Sequence, residues 1–223
     1  MFQTVVREVI PTTYKIIDEP ALIEEFKIAV CKVYAYITKI KPKPQLVTAG
    51  KYLLIYQKEL YNFVNNILNK GNRMGEFDNT FEYSRASYDD LMKKLNINTK
   101  FEPNDLQYAK NVWGPIYWNF LHLASILCKT DNQKATFAYL LMNFNLVLIC
   151  SECAFNFLDK KPFTLTMMIL LSGDTITSLY NFHNIVNKAL HKKQFQYSDF
   201  LLKYNIVAVK ESGIKTYTFL SVV

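Results

Sequence analysis

Cys150-Ser151-Glu152-Cys153 is the stretch of this chain best suited to chemistry. Two thiols at this spacing can close a disulfide within one helical turn. A thiol at a helix N-terminus also has its thiolate favoured by the helix dipole. Such a pair can pass a disulfide onward by thiol–disulfide exchange. Taken alone, the pair leaves zinc ligation and a chance pairing open. Zinc would need two more ligands, and His183 and His191 lie 30 and 38 residues past Cys153, too far apart for a finger. No metal is expected. A thioredoxin-like site would need strands around the pair, and the flanking sequence suggests none.

Two further stretches carry polar and aromatic groups at helical spacing. In His183-Asn184-Ile185-Val186-Asn187-Lys188-Ala189-Leu190-His191-Lys192, one helix face presents His183, Val186 or Asn187, and Leu190. Asn184 sits a step to one side, and Lys192 reaches beyond the end. An imidazole, two carboxamides, an aliphatic wall and a cation suit a planar heteroaromatic ligand with phosphates. An ordinary amphipathic helix would look the same. In Trp113-Gly114-Pro115-Ile116-Tyr117-Trp118-Asn119-Phe120-Leu121-His122, Trp118 and His122 share a face, and Gly114 and Pro115 mark the start of the helix. Here the plain alternative is an aromatic core cluster.

These residues need helices to position them. From Pro20 to Ile40 apolar residues recur at three- and four-residue steps until Lys41-Pro42-Lys43-Pro44 ends the pattern. A second helix is expected over Lys51 to Lys70, a polar loop over 71–84, and a short helix near Arg85 to Leu95. The polar stretch Asn96 to Asp105 divides the chain into a helical domain, 1–100, and a second domain, 101–223. Beyond it the pattern predicts helices at about 106–128 and 132–149, a short one after the cysteine pair, one at 173–192, and one near 197–204. The tail 206–223 alternates enough for a hairpin turning at Ser212-Gly213.

Composition bounds the rest. Half of the 223 residues are apolar and a fifth charged, which suits a folded rather than a disordered chain. Six glycines and seven prolines favour long helices over many tight turns. The net charge of +7 would suit nucleic acid, but the lysines are scattered and arginine occurs only at Arg7, Arg73 and Arg85, so no nucleic-acid partner is expected. Residues 135–151 are uncharged but contain Asn143 and Asn145 and fall short of the roughly 20 residues of a membrane span. A buried helix is the expectation there, without a membrane. The N-terminus meets Arg7 and Glu8 too early for a signal peptide, so the chain reads as intracellular.

Taken in order, the three stretches resemble the Erv/ALR-type FAD-linked sulfhydryl oxidases. That family's pattern is W-G-P-x-x-W-x-x-L-H, then C-x-x-C, then H-N-x-V-N-x-x-L-x-K. Trp113, Gly114, Pro115, Trp118, Leu121 and His122 match the first element, and Cys150 and Cys153 the second. His183, Asn184, Val186, Asn187, Leu190 and Lys192 match the third. The resemblance covers about residues 106–205. A helical half placed ahead of it is similar in layout to the baculovirus type of viral sulfhydryl oxidase.

The resemblance implies an all-α fold, a four-helix bundle with a short fifth helix, preceded by a second helical domain that packs on it or builds a homodimer. It implies FAD as cofactor, dithiol proteins as substrates and dioxygen as acceptor, with hydrogen peroxide released. Cys150 would be the interchange thiol, and Cys153 would lie against the flavin and pass electrons to it. Gly114, Tyr117, Trp118, His122, Phe157, His183, Asn184, Val186, Asn187, Leu190 and Lys192 would form the cofactor wall. The sequence lacks the cysteines for the family's structural disulfide and shuttle dithiol, so substrates would reach Cys150 directly. Cys31 and Cys128 read as buried apolar residues, and Asn156 stands where many members have His. The implied setting is virion-protein disulfide formation in the cytoplasm or nucleus of an infected cell, or in the virion. The competing reading is a viral helical scaffold that keeps the bundle without oxidase activity.

Overall fold

Asp18 starts the first helix: its carboxylate accepts from the Ala21 N–H at 3.0 Å, and Pro20 presets the first turn. The computed structural model describes residues 2–40, 47–68, 92–98, 107–160 and 162–222. Helix α1 (Glu19–Ala35) buries Leu22, Phe26, Ala29, Val30 and Val33, the stripe its spacing calls for, and runs on as a π-helical turn over Tyr36–Ile40. Helix α2 spans Val47–Leu68. The expected end of α1 at Lys41 to Pro44 and the polar loop 71–84 lie outside the described residues. So do most of the helix expected near Arg85 to Leu95 and most of the boundary at 96–105.

The second half is built from α3 (Lys110–Leu127), α4 (Asp131–Met142), α5 (Ser151–Asp159), α6 (Pro162–Ser172), α7 (Thr175–Ala189) and α8 (Tyr197–Lys203). Helix α3 begins before Gly114 and Pro115, so these two lie inside it rather than at its start. Thr130 and Gln133 form a capping box at the head of α4. That helix stops at Met142, short of the expected 149, because the Asn143 amide bonds the Tyr139 carbonyl and competes with the helical pattern. The cysteine pair lies at the head of α5 rather than ahead of it. Pro162 then opens α6 as a separate helix that the apolar pattern did not distinguish.

Strands also form at the two ends of the chain. β2 (Thr12–Ile16) pairs with β3 (Ile206–Lys210), and β1 (Phe2–Val9) with β4 (Lys215–Val222), both antiparallel. Together they read as one ribbon with a corner, where Ile10 and Pro11 face residues 211–214. Pro11 has no N–H to donate, its carbonyl accepts from the Glu211 N–H at 2.8 Å, and Gly213 takes φ +97°. The hairpin expected over 206–223 is thereby corrected. Both of its strands exist, but each pairs with the N-terminal segment instead of its neighbour.

The ribbon is fastened to the bundle by Tyr14, whose hydroxyl lies 2.6 Å from Thr177 Oγ1 on α7 and 2.8 Å from the Tyr197 hydroxyl on α8. The first half packs on the second through Phe26 stacked on Phe120 and Phe63 stacked on Phe137, ring centroids 5.8 Å apart in each case. A single apolar core runs through both halves. The fold is mostly helical, and the two two-stranded sheets of the ribbon are the only sheets among the described residues. No described helix is long and apolar enough to cross a membrane.

Candidate active site

Cys150 and Cys153 form a disulfide, Cα atoms 5.2 Å apart. Cys150 is the N-cap of α5, and its sulfur accepts from the Cys153 N–H at 3.2 Å. The positive end of the helix therefore faces the sulfur that would carry charge when the bond opens. Tyr117 secures the segment leading in, its buried hydroxyl donating to the Val147 carbonyl at 3.0 Å. Lys110 at the head of α3 bonds Glu152 at 2.8 Å and holds that exposed carboxyl below its ordinary range. Cys31 and Cys128 are both buried and unbridged, and burial pushes the Cys128 thiol up, out of the range in which a thiolate forms.

Beside the pair lies a cavity of about 450 Å³ walled by α3, α5, α7 and the chain leading into α8. Of the expected cofactor residues, Gly114, Tyr117, Trp118, His122, Phe157, His183, Val186, Asn187, Leu190 and Lys192 all line it. Cys153 lines it and Cys150 does not. Asn184 is not in the wall; its carboxamide is bonded to the backbone of Phe195. Asn156 lines it as well, and residues that the sequence reading left out also contribute, among them Lys110, Glu152, Lys160, Phe195, Lys203 and Tyr204. The scattered lysines are gathered here, with Lys110, Lys160, Lys192 and Lys203 around one opening. Nothing in their spacing announced this.

The aromatic floor is tightly arranged. Trp118 stacks on His183 with centroids 3.9 Å apart and planes within 7°, and His122 Nε2 lies 2.9 Å from His183 Nδ1. Phe157 packs edge-on against Phe182 at 5.6 Å. Two buried nitrogens of the wall, Trp113 Nε1 and His122 Nδ1, have no hydrogen-bond partner among the described residues. Unpaired buried polar groups are costly, so each of these nitrogens calls for a partner. A flat heteroaromatic group carrying phosphates fits this set: rings to stack on, unpaired ring nitrogens, and several ammonium groups. No group of acidic, histidine or cysteine residues among the described residues could hold a metal ion.

Burial, then the charges of His183 and Lys203, hold the His122 imidazole well below its usual range. Burial, then Lys203 and Lys192, push His183 down to about 4. Both rings are neutral in the folded chain near neutral pH, whereas an unfolded chain takes up these protons at about pH 6.5. The stability that follows is complete above that pH and is lost as pH falls from there toward 4. In the FAD-free protein the thermal midpoint should be flat from pH 8 to 7 and decline below 6.5. His183 should account for about 1–2 kcal/mol of the loss by pH 5, after discounting for its partial exposure. His183→Gln should flatten that part of the decline, and an unchanged slope would show that the ring is not held neutral.

Comparison with known proteins points the same way. The model of the Erv1 / Alr family matches residues 115–205. Three relatives, each named FAD-linked sulfhydryl oxidase, come from African swine fever virus isolates from Kenya, Namibia and Malawi. They are 36%, 35% and 36% identical to this chain over 94 residues, which is 40% of this chain and 76% of each relative. No solved structure matches the chain.

Proposed function

Because the chain belongs to the Erv1 / Alr family, we propose that it is an FAD-linked thiol oxidase that makes disulfides through Cys150 and Cys153 and releases hydrogen peroxide. The observation that carries this reading is the position of Cys153. It lies on the wall of the cavity lined by ten of the eleven residues expected to hold the cofactor, while Cys150 stays outside it.

The protein's part in the reaction follows from that division. A substrate thiolate attacks Cys150 Sγ, the Cys150–Cys153 bond breaks, and Cys153 departs as a thiolate. A second substrate thiol, deprotonated, attacks the substrate sulfur of the mixed disulfide. The substrate disulfide forms, and Cys150 leaves as a thiolate facing the helix N-terminus. The electron pair now resides on the reduced cysteines. Bound FAD would supply the acceptor for that pair and its route to dioxygen. Trp118 and His183 would stack on its rings, Trp113 Nε1 and His122 Nδ1 would meet its polar atoms, and Lys192 and Lys203 would neutralise its phosphates. The neutral imidazole pair offers one donor and one acceptor without a competing positive charge.

We read residues 1–100 as a packing layer on a catalytic unit over 101–223, and the Phe26–Phe120 and Phe63–Phe137 stacks support the packing of one on the other. We further read the working form as a homodimer, since Leu170, Leu171 and Ile185 leave apolar surface open. Its setting is an infected cell's cytoplasm or nucleus, or the virion, with virion proteins as dithiol substrates.

The test is a visible spectrum of the purified protein before and after dithiothreitol is added in air. A yellow protein that bleaches, recovers as oxygen is consumed and yields peroxide supports the oxidase. A colourless protein that cannot be loaded with FAD supports the scaffold alternative.

A further inference from the structure

The segment after α7 turns back over the helix that precedes it. His191 takes φ +53°, and the Lys192 N–H donates to the Asn187 carbonyl at 2.9 Å, which closes α7 and redirects the chain. The strap 191–196 then runs across the surface of α7 to α8. Three hydrogen bonds, all at Phe195, tie it down there. The Phe195 N–H donates to Asn184 Oδ1 at 2.8 Å. The Phe195 carbonyl accepts from Asn184 Nδ2 at 2.9 Å and from the Tyr180 hydroxyl at 2.7 Å.

The strap carries two groups of the cavity wall. The Phe195 ring meets His183 and His122 edge-on, at 6.1 and 6.3 Å. Lys192 lines the cavity and its charge bears on His183. Asn184 itself is not in the wall of that cavity, and both ends of its carboxamide are engaged with the Phe195 backbone.

We propose that Asn184 is a positioning residue that acts on the cofactor through the strap, by pinning Phe195 and Lys192 against the cavity, and not by touching the cofactor. The inference rests on the FAD-binding reading of that cavity. A carboxamide is the side chain the task requires, because one planar group must accept from an N–H and donate to a C=O of the same residue. Removing it leaves the Tyr180 bond as the strap's single side-chain tie at Phe195.

The test separates the strap from the cofactor. Amide hydrogen exchange across 191–196 is measured in FAD-free full-length protein for wild type, Asn184→Ala, Asn184→Asp, Tyr180→Phe and Lys192→Ala, and FAD affinity is measured by flavin fluorescence. Asn184→Ala should speed exchange at the Phe195 amide at least tenfold and weaken FAD binding about tenfold or more. Asn184→Asp keeps the acceptor but sets a carboxylate oxygen against the Phe195 carbonyl, so it should restore only part of the amide's protection. Tyr180→Phe should act in the same direction, more mildly. Lys192→Ala should weaken FAD with strap exchange unchanged. Lost affinity in Asn184→Ala with wild-type strap exchange would overturn the proposal, because it would mean direct contact. Faster exchange with wild-type affinity would overturn it too. If wild type bound no FAD, the cavity reading would fall, while the exchange data would still report whether Asn184 holds the strap.

Discussion

Dithiol-dependent oxygen uptake is expected to fall to background in both Cys150→Ser and Cys153→Ser, with FAD retained in each. The loss is total because the pair acts as a unit: with either sulfur gone, no disulfide remains to receive the substrate's electrons. FAD stays because the cavity draws its walls from α3, α7 and the strap as well as from α5. The two variants should nevertheless differ. In Cys153→Ser, the surviving Cys150 lies outside the cavity at the helix N-terminus, so an activated peptide disulfide should charge it to a mixed disulfide that persists for want of a resolving thiol. In Cys150→Ser, the surviving thiol lies on the cavity wall, and with FAD bound it should react far more slowly. Mass spectrometry after brief exposure to the activated disulfide distinguishes them. Turnover in either serine variant, or equal labelling of both, would contradict the division of roles.

Gly114→Leu is expected to abolish FAD binding without harming the fold. Gly114 lies within α3 on the cavity wall, and a Cβ built there meets no atom within 4 Å. The space beside it is open because it belongs to the cavity, not because the core is loosely packed. A leucine would project into that space, and the gain of up to about 1 kcal/mol from replacing a helical glycine is offset because Pro115 crowds a Cβ on the residue before it. The FAD-free variant should therefore melt close to the wild-type temperature while remaining colourless after incubation with FAD. Dithiothreitol should still reduce its single disulfide stoichiometrically, without turnover. A yellow Gly114→Leu protein with wild-type affinity would place the cofactor elsewhere.

Much of the site was legible because helices convert short spacings into shared faces. Trp118 and His122, four apart, do share a wall, and His183, Val186, Asn187 and Leu190 line it from α7. The thiol pair's place at a helix N-terminus also followed from its sequence, although the helix begins at the pair and not after it. Asn184 was misplaced because spacing fixes a direction and not a partner. Its neighbour in space is the backbone of a strap eleven residues on, which no periodicity encodes. The lysines looked scattered because they are brought together by tertiary packing of α3, α5, α8 and the strap. The strands were harder still. Residues 206–210 and 215–222 alternate as strands should, and local turn chemistry at Ser212-Gly213 suggested that they meet each other. The competing partner lay at the other end of the sequence, where Phe2–Val9 offers eight residues of unbroken register and no turn signal connects the two.

The ribbon also bears on how the protein is made. On a ribosome, Phe2–Val9 emerges before its partner Lys215–Val222 and waits for roughly two hundred residues of synthesis. Helices α3 to α7 can collect into a bundle during that interval, since their contacts are mostly close in sequence. An unpaired strand, meanwhile, is an adhesive edge for other nascent chains. Messages truncated before codon 215 would release a bundle with that edge permanently bare. Such fragments should be insoluble or proteolysed even though every residue of the cavity has been translated.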